Sequence, residues 1–518
     1  MKMKILSAMV KVALATATVS VMADQGPSTM TAPYLQPVAS GVSLTSILTA
    51  GEAIGDFRFV GLPDGLGAYK SGKDTITVLL NHEIGTPNGI VRAHGGYSAF
   101  VSELVLNKKT LQVMSGADLI QTVYNWDATT QAPATTPSII NFSRFCAAEL
   151  ANESAFYNEK TKRGSKARLF LNGEEGGATG YAMAHVATGP SKGNSYVLGK
   201  FNPATDGSLG TAVGGWENLV ANPKSGDKTV VVGLNDGGTQ IMENSVAVYI
   251  GNKAKVGNEV EKAGLTNGVS KFIKVTGFAD NLGTTIDELS DLTTRTTGIT
   301  SGTPFTLSDV EVTTFSRPED GAWSADGKSF YFVTTDRLDK TDLVGNTQVG
   351  GTRLWKLNFN PTFTGGTIDV VIDTAKMAGG IGSVKPNMWD NISVNEDGTI
   401  TMMEDVGNAE HNGKVWQFNP KTKSLKVLTK FDSALFGDID PISGVYTAGT
   451  HTKDEETSGV IDVTKLLDRH DGKQYSLLVS QDHASAASLQ AIGAMDLSAN
   501  PTEIYQGGQL LLLTRSIK

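Results

Sequence analysis

Six short apolar runs, each closing on acidic residues, constrain this 518-residue chain more than any other feature. They lead to Glu83, to Glu174-Glu175, to Asp236, to Asp336, to Glu404-Asp405 and to Asp482-His483, about 60 to 100 residues apart. Turn residues (Gly, Asn, Asp, Pro, Lys) separate the runs, the pattern of short strands behind tight turns. A β-propeller explains such a series: each blade sends an inner strand along a central channel, and the strand ends converge on one axial mouth. Carboxylate-tipped inner strands would crowd negative charge there, which bound cations relieve at least cost. The spacings exceed the ~40–45 residues of a compact blade, so insertions are expected between blades. A split into two domains near the Thr- and Gly-rich stretch 294–304 is the competing organisation.

Composition supports the β reading. The 58 glycines have no collagen-like period and fit many turns, and 19% charged residues is too few for a disordered polyelectrolyte. Residues 414–429 read as a hairpin, as do Arg353–Asn358 and Thr367–Ile372 around a longer loop. Long amphipathic helices are scarce; residues 150–163 and 461–469 are expected to be short helical insertions. A net charge of −9 argues against a nucleic-acid partner.

Residues 1–23 read as an export signal. Lys2, Lys4 and Lys11 form an extended basic region, the stretch to Met22 is apolar and small, and Val21-Met22-Ala23 resembles a cleavage site. No twin-arginine pair accompanies it, so export of an unfolded chain is expected. The remainder, 24–518, is expected to be a periplasmic or secreted monomer without a membrane anchor. Its single cysteine, Cys146, permits no internal disulfide and reads either as a buried hydrophobe or as a metal ligand.

Dense oxygen clusters at Glu174-Glu175, Arg317–Asp320, Asp390-Asn391, Glu404-Asp405 and Asp454–Glu456 suit calcium, which takes six to eight hard oxygen ligands. None has EF-hand spacing. HExxH, CxxC pairs, G-x-S-x-G, Walker A and Rossmann fingerprints are all absent. His82 is expected to be a satisfied structural histidine. Arg317 beside Glu319 is more informative, because a guanidinium next to a metal-binding acid is suited to hold a phosphate or carboxylate.

The ordered segments Asn81-His82-Glu83, Glu174-Glu175, Arg317–Trp323, Asp390-Asn391-Ile392 and Glu404-Asp405 resemble the PhoX-type alkaline phosphatases and their broader relatives, over most of the chain from about residue 50. Phe142–Cys146, Asn172–Glu175, Glu261–Gly268 and Asp454–Gly459 are similar to a bacterial subgroup of that class. The resemblance implies an all-β, six-bladed β-propeller with inserted loops and short helices. It further implies hydrolysis of small phosphate monoesters at an axial cluster of several calcium ions, with iron a further candidate. On this resemblance Glu83, Cys146, Glu174, Glu175, Glu319, Asp390, Glu404 and Asp405 are expected metal ligands. Arg317 and Glu319 are expected to be catalytic, and Arg317, Asn391 and Arg144 to bind substrate. Cys146 stands where the family has an iron-binding cysteine. Two segments depart from the pattern: Ala147–Glu153 replaces a Gly-rich stretch, and Met242–Ser245 lacks an arginine that Arg92 or Arg144 would have to supply. A propeller hydrolase of another ester class, such as a lactonase or phosphotriesterase, and a non-catalytic calcium-stabilised propeller are the alternatives.

Overall fold

The run Thr75–His82 is buried from Ile76 onward. A strand of a sheet with one wet face would alternate, so this strand must be covered on both faces. The same holds for Leu169–Gly173, for Lys228–Asn235 from Thr229 onward, and for Ile400–Glu404. The computed structural model shows how. It describes residues 26–175, 180–201, 215–236, 245–279, 297–335, 352–377, 385–407, 411–440, 443, 445–498 and 502–517. The expected export signal and Asp336 lie outside these residues.

Each such strand is the second of a four-stranded antiparallel blade, and six blades follow one another around an axis. Blade 1 comprises Pro63–Lys70, Thr75–His82, Phe100–Asn107 and Val113–Asp118. Blade 2 comprises Ala148–Leu150, Leu169–Gly173, Ala182–Val186 and Asn194–Val197. Blade 3 runs Trp216–Ala221, Lys228–Asn235, Val246–Asn252 and Val269–Val275. Blade 4 runs Pro318–Trp323, Ser329–Thr334, Arg353–Phe359 and Gly365–Asp373. Blade 5 holds Trp389–Val394, Ile400–Glu404, Lys414–Asn419 and Ser424–Phe431. Blade 6 holds Glu455–Asp462, Lys473–Ser485 and Gln506–Ser516, and borrows its outer strand, Val42–Thr49, from near the N-terminus. That last pairing, Val42 opposite Arg515 through Thr49 opposite Gln509, joins the two ends of the chain and closes the ring.

Six apolar cores lie between the six blades. Trp216, Leu171 and Tyr249 fill the gap between blades 2 and 3, and Trp355, Phe332 and Val232 that between 3 and 4. Trp389, Leu354 and Trp416 do the same between 4 and 5. Trp216, Trp355 and Trp389 have no exposed surface, and truncating any one to alanine should cost ~3–5 kcal/mol. Near the axis the backbones approach too closely for side chains. A Cβ on Gly65 would lie 2.3 Å from the Ala148 nitrogen of blade 2, and one on Gly459 would lie 2.6 Å from the Asp64 carbonyl oxygen of blade 1. Helices are single short insertions, among them Glu153–Phe156 and Thr464–Leu467, within the two stretches expected to be helical. No helix among the described residues is long and apolar enough to cross a membrane.

One expectation is corrected. The acid-tipped runs are the second strands of their blades, not the inner ones. In an antiparallel pair the start of one strand lies beside the end of the next. The ends of the second strands and the beginnings of the inner strands therefore share one face of the propeller.

Candidate metal centre

Five of the six inner strands are led in by the same short unit. A residue in the left-handed region is followed by an apolar residue or proline, and then by a ligand-type side chain. The units are Leu62-Pro63-Asp64, Arg144-Phe145-Cys146, Gly215-Trp216-Glu217, Arg317-Pro318-Glu319 and Met388-Trp389-Asp390, with φ of 54°, 51°, 73°, 49° and 45° at their first residues. Non-glycine residues rarely adopt this conformation, and four do so here. Strand pairing slips at or beside the third position in blades 1, 3, 4 and 5, between Pro63 and Leu66, Trp216 and Asn218, Pro318 and Gly321, and Trp389 and Ile392. Such bulges re-aim a side chain, here toward the axis. Glu456 completes the set from blade 6.

A second ring comes from the second strands: Glu83, Glu175, Asp236, Thr335, Asp405 and His483. The two rings are tied together by backbone. The amides of Glu83, Glu175, Thr335, Asp405 and His483 donate to the carbonyls of Leu62, Arg144, Arg317, Met388 and Asp454, at 2.9, 3.0, 3.1, 3.0 and 3.1 Å.

The rings meet in four groups whose potential ligand atoms lie within 4.8 Å of one another: Asp64, Cys146 and Glu217; Glu83, Cys146 and Glu175; Asp64, Glu83 and Glu456; and Glu175, Glu217 and Asp236. Two arginines stitch the carboxylates. Arg144 Nη2 lies 2.8 Å from Glu83 Oε1 and 2.5 Å from Glu175 Oε2. Arg317 makes a two-pronged contact with Asp236 at 2.8 and 2.9 Å, and its Nη2 lies 3.1 Å from Glu319. Gln481 donates to Glu83 and Glu456, and His483 Nε2 lies 3.5 Å from Glu456.

Arg144, Arg317 and His483 beside nine buried or half-buried acids leave negative charge uncompensated. Burial, and then the neighbouring carboxylates, push Asp64, Glu217 and Asp390 well above the ordinary carboxylate range. Glu319 also rises far, burial outweighing Arg317. Burial lifts Glu175 to about 8 despite Arg144, and Glu456 to about 7 despite His483. In Glu83 and Asp236 burial is overcome by Arg144 and Arg317, so both stay below the usual value. Burial alone would lower His483, but Glu456, Asp454 and Glu83 raise it to about 10.

The donor set fits cations. Nine ring carboxylates are hard oxygen donors of the kind calcium takes. The Cys146 thiol, 4% exposed, belongs to two of the four groups and lies 3.2 Å from Glu175. Burial and three nearby carboxylates raise its pKa, so a thiolate there requires a cation. A thiolate between carboxylates suits a softer transition metal than calcium. The Cys146 carbonyl is fixed by Asn81 at 2.7 Å, and Asn81 in turn by Asn172.

Of the ligand candidates read from sequence, the structure brings Glu83, Cys146, Glu175, Glu319, Asp390 and Asp405 to the mouth and turns two elsewhere. Glu174 accepts from the Ser143 and Tyr181 amides. Glu404 lies in the blade 5 core, accepting from Asn387 N, Lys414 N and Trp416 Nε1. Both are first members of an acidic pair, and successive strand residues face opposite ways. Among the substrate candidates, Arg317 and Arg144 stand at the mouth. Asn391 instead contacts Asp64 at 3.3 Å and lines a deeper axial cavity of about 530 Å³ with Asp320, Asn218 and Glu149. Arg92, the alternative phosphate arginine, lies over Phe100 at 3.6 Å and pairs with Glu503. His82 is satisfied by Gly61 O and Ser102 Oγ.

Asp64, Glu217 and Thr335 are ring members that sequence reasoning did not select, and Glu456 lay in an oxygen cluster it named without assigning a ligand. A signal for the inner ring was present: Pro63-Asp64-Gly65, Trp216-Glu217-Asn218, Pro318-Glu319-Asp320 and Trp389-Asp390-Asn391 repeat one pattern.

No protein-family model matches the chain, and no curated protein does. Among solved structures it is similar to the periplasmic gluconolactonase of Pseudomonas aeruginosa at 11% identity, covering 71% of this chain and 85% of that one, with a TM-score of 0.32. It is similar to a gluconolactonase of Xanthomonas campestris at 9% identity, covering 92% and 96%, with a TM-score of 0.33. It is also similar to the β-propeller domain of the Trilobed protease of Pyrococcus furiosus at 8% identity, covering 82% and 92%, with a TM-score of 0.28. At these TM-scores nothing about the chemistry of this chain follows from them, and the six-bladed β-propeller stands on the chain's own strand order.

Proposed function

We propose that the protein is a metal-dependent hydrolase of phosphate monoesters. The observation that carries this reading is the double ring of buried ligand-type side chains, with Arg144 and Arg317 set into it. Asp64, Glu217, Glu83, Glu175, Asp236 and Glu456 would hold several calcium ions, and Cys146 with Asp64, Glu83, Glu175 and Glu217 would hold the position suited to iron. When bound, these cations supply positive charge to the phosphoryl group and to the water that attacks it.

The chain's own residues do the rest. Arg144 keeps 48% of its side chain exposed at the mouth, so its free edge can meet an incoming phosphoryl oxygen while Glu83 and Glu175 hold the other edge. Arg317, a quarter exposed, is oriented at the mouth by Asp236 and Glu319. A guanidinium oriented before substrate arrives needs no reorganisation as charge develops. His483 carries its proton at neutral pH beside Glu456 and can give it to the departing alkoxide. The resemblance to PhoX-type phosphatases supports the same reading.

A second reading has one observation in its favour. Both arginines already neutralise carboxylates, an arrangement that also suits a calcium-dependent hydrolase of an uncharged ester. The deciding experiment is metal analysis of the purified protein together with hydrolysis of p-nitrophenyl phosphate and of an uncharged lactone, before and after chelation. Phosphate-ester turnover lost on chelation and restored by calcium supports the proposal. Metal-dependent lactone turnover alone supports the second reading, and neither turnover with calcium bound leaves a calcium-stabilised propeller without catalysis.

A further inference from the structure

The six blades provide their own internal comparison, and one blade breaks the pattern. Where the second strand reaches the mouth, blades 1, 2, 3, 5 and 6 place Glu83, Glu175, Asp236, Asp405 and His483, all ionisable. Blade 4 places Thr335. The equivalence is structural, because the Thr335 amide donates to the Arg317 carbonyl at 3.1 Å just as the Glu83, Glu175, Asp405 and His483 amides donate to their own blades.

Thr335 is 2% exposed, and its hydroxyl has no hydrogen-bond partner among the described residues. Its neighbours do not share this state. Thr334 Oγ1 accepts from Trp355 Nε1. Thr352 Oγ1 donates to the Thr334 carbonyl and accepts from the Trp389 amide. An unpartnered buried hydroxyl is destabilising unless something arrives to pair with it. The sector also contains Arg317, whose left-handed backbone sets it directly against Thr335. Among the described residues, blade 4 is thus the one sector whose second-ring side chain is not ionisable.

We infer that Thr335 and Arg317 form the oxyanion-docking sector of the mouth, with the Thr335 hydroxyl donating a hydrogen bond to a non-bridging phosphoryl oxygen. This rests on the phosphomonoesterase reading and deepens it. A carboxylate at 335 would add a fifth acid to the second ring, beside Asp236 and Asp405, and repel the substrate. A hydroxyl supplies one donor and no charge, which admits an anion where Glu83, Glu175, Asp236 and Asp405 favour cations.

The test uses calcium-loaded full-length protein and inorganic phosphate as the probe, with binding followed calorimetrically and metal content by elemental analysis. Thr335→Ser should bind phosphate within about twofold of wild type, and Thr335→Val about tenfold more weakly, the effect of one lost hydrogen bond. Both should retain wild-type metal content. Thr335→Asp should lose about a hundredfold or more in phosphate binding, from charge repulsion added to the lost donor, with calcium per chain unchanged or higher. Phosphate binding by the Val and Asp variants equal to wild type overturns the inference, as does a calcium-loaded wild type that binds no phosphate. Should the Asp variant fail to fold, the Ser and Val pair decides. A wild type that binds phosphate through Thr335 but hydrolyses no monoester removes the phosphatase reading and leaves the docking sector standing.

Discussion

Removing cations should make the protein's stability fall as pH rises from 7 to 8, the reverse of what most acidic proteins do. A carboxyl whose folded pKa is raised contributes most stability when protonated and loses it as pH climbs from the unfolded toward the folded value. Glu175, raised from 4.5 to about 8, is still losing its proton across this interval. His483 is raised from 6.5 to about 10, so its stabilisation, complete below 6.5, is also being lost. At 1.36 kcal/mol per pKa unit, Glu175 accounts for about 1 kcal/mol between pH 7 and 8 and His483 for about another. Asp64, Glu217, Glu319 and Asp390 shift in the same direction. Below pH 6.5 an opposing contribution enters. The buried neutral histidines His82 and His185, lowered to about 3, then favour the unfolded chain increasingly as pH falls. An unfolding entropy of about 2.1 cal/mol/K per residue gives roughly 1 kcal/mol/K for a chain of this length, so the metal-free Tm should drop by at least about 2 °C between pH 7 and 8. Calcium holds the carboxylates ionised and removes the carboxylate part of the slope. At a thousandfold excess over Kd, each occupied site should raise Tm by about 4 °C. The assay is calorimetry on dialysed apo protein in matched buffers at both pH values, with and without calcium. A metal-free Tm that is flat or rising over this interval would refute the electrostatic picture of the mouth.

Glu319→Gln should abolish phosphate-ester turnover and reduce bound metal, whereas Arg317→Ala should lower turnover about 10²–10³-fold with metal retained; a fully active Glu319→Gln protein with unchanged metal content excludes the assignment. If Cys146 binds iron, the purified protein should show a thiolate charge-transfer band, and Cys146→Ser should bleach it and release iron while keeping the fold. A colourless, iron-free, fully active wild type would leave calcium alone at the centre. Glu404→Gln should leave metal content unchanged yet destabilise the chain by ~1–3 kcal/mol, because it weakens a buried acceptor of three N–H donors; in Glu175→Gln, metal content should fall instead.

The sequence by itself determined that the chain is built of short strands behind turns and that acids recur at strand ends. The chemistry of those residues is local: β-branched and apolar runs cannot remain exposed, and Gly, Asn and Asp end them. It also indicated six of the acid and thiol positions now seen at the mouth. What it left open was decided by pairing and by facing. Whether a run ending in acids is an inner or a second strand depends on which strand it pairs with, and Lys228–Asn235 lies between Trp216–Ala221 and Val246–Asn252. Which member of an acidic pair meets the axis depends on the pleat, so Glu175 and Asp405 point in while Glu174 and Glu404 are held by backbone and indole N–H groups. Four members of the inner ring, Asp64, Glu217, Glu319 and Asp390, needed both the left-handed residue before their strands and the bulges after it to aim them. Closure itself depends on Val42–Thr49 reaching across more than four hundred residues of sequence to Gln506–Ser516. Composition carries no trace of such a contact, because the free energy that selects it comes from completing the ring of blades and burying the last apolar core.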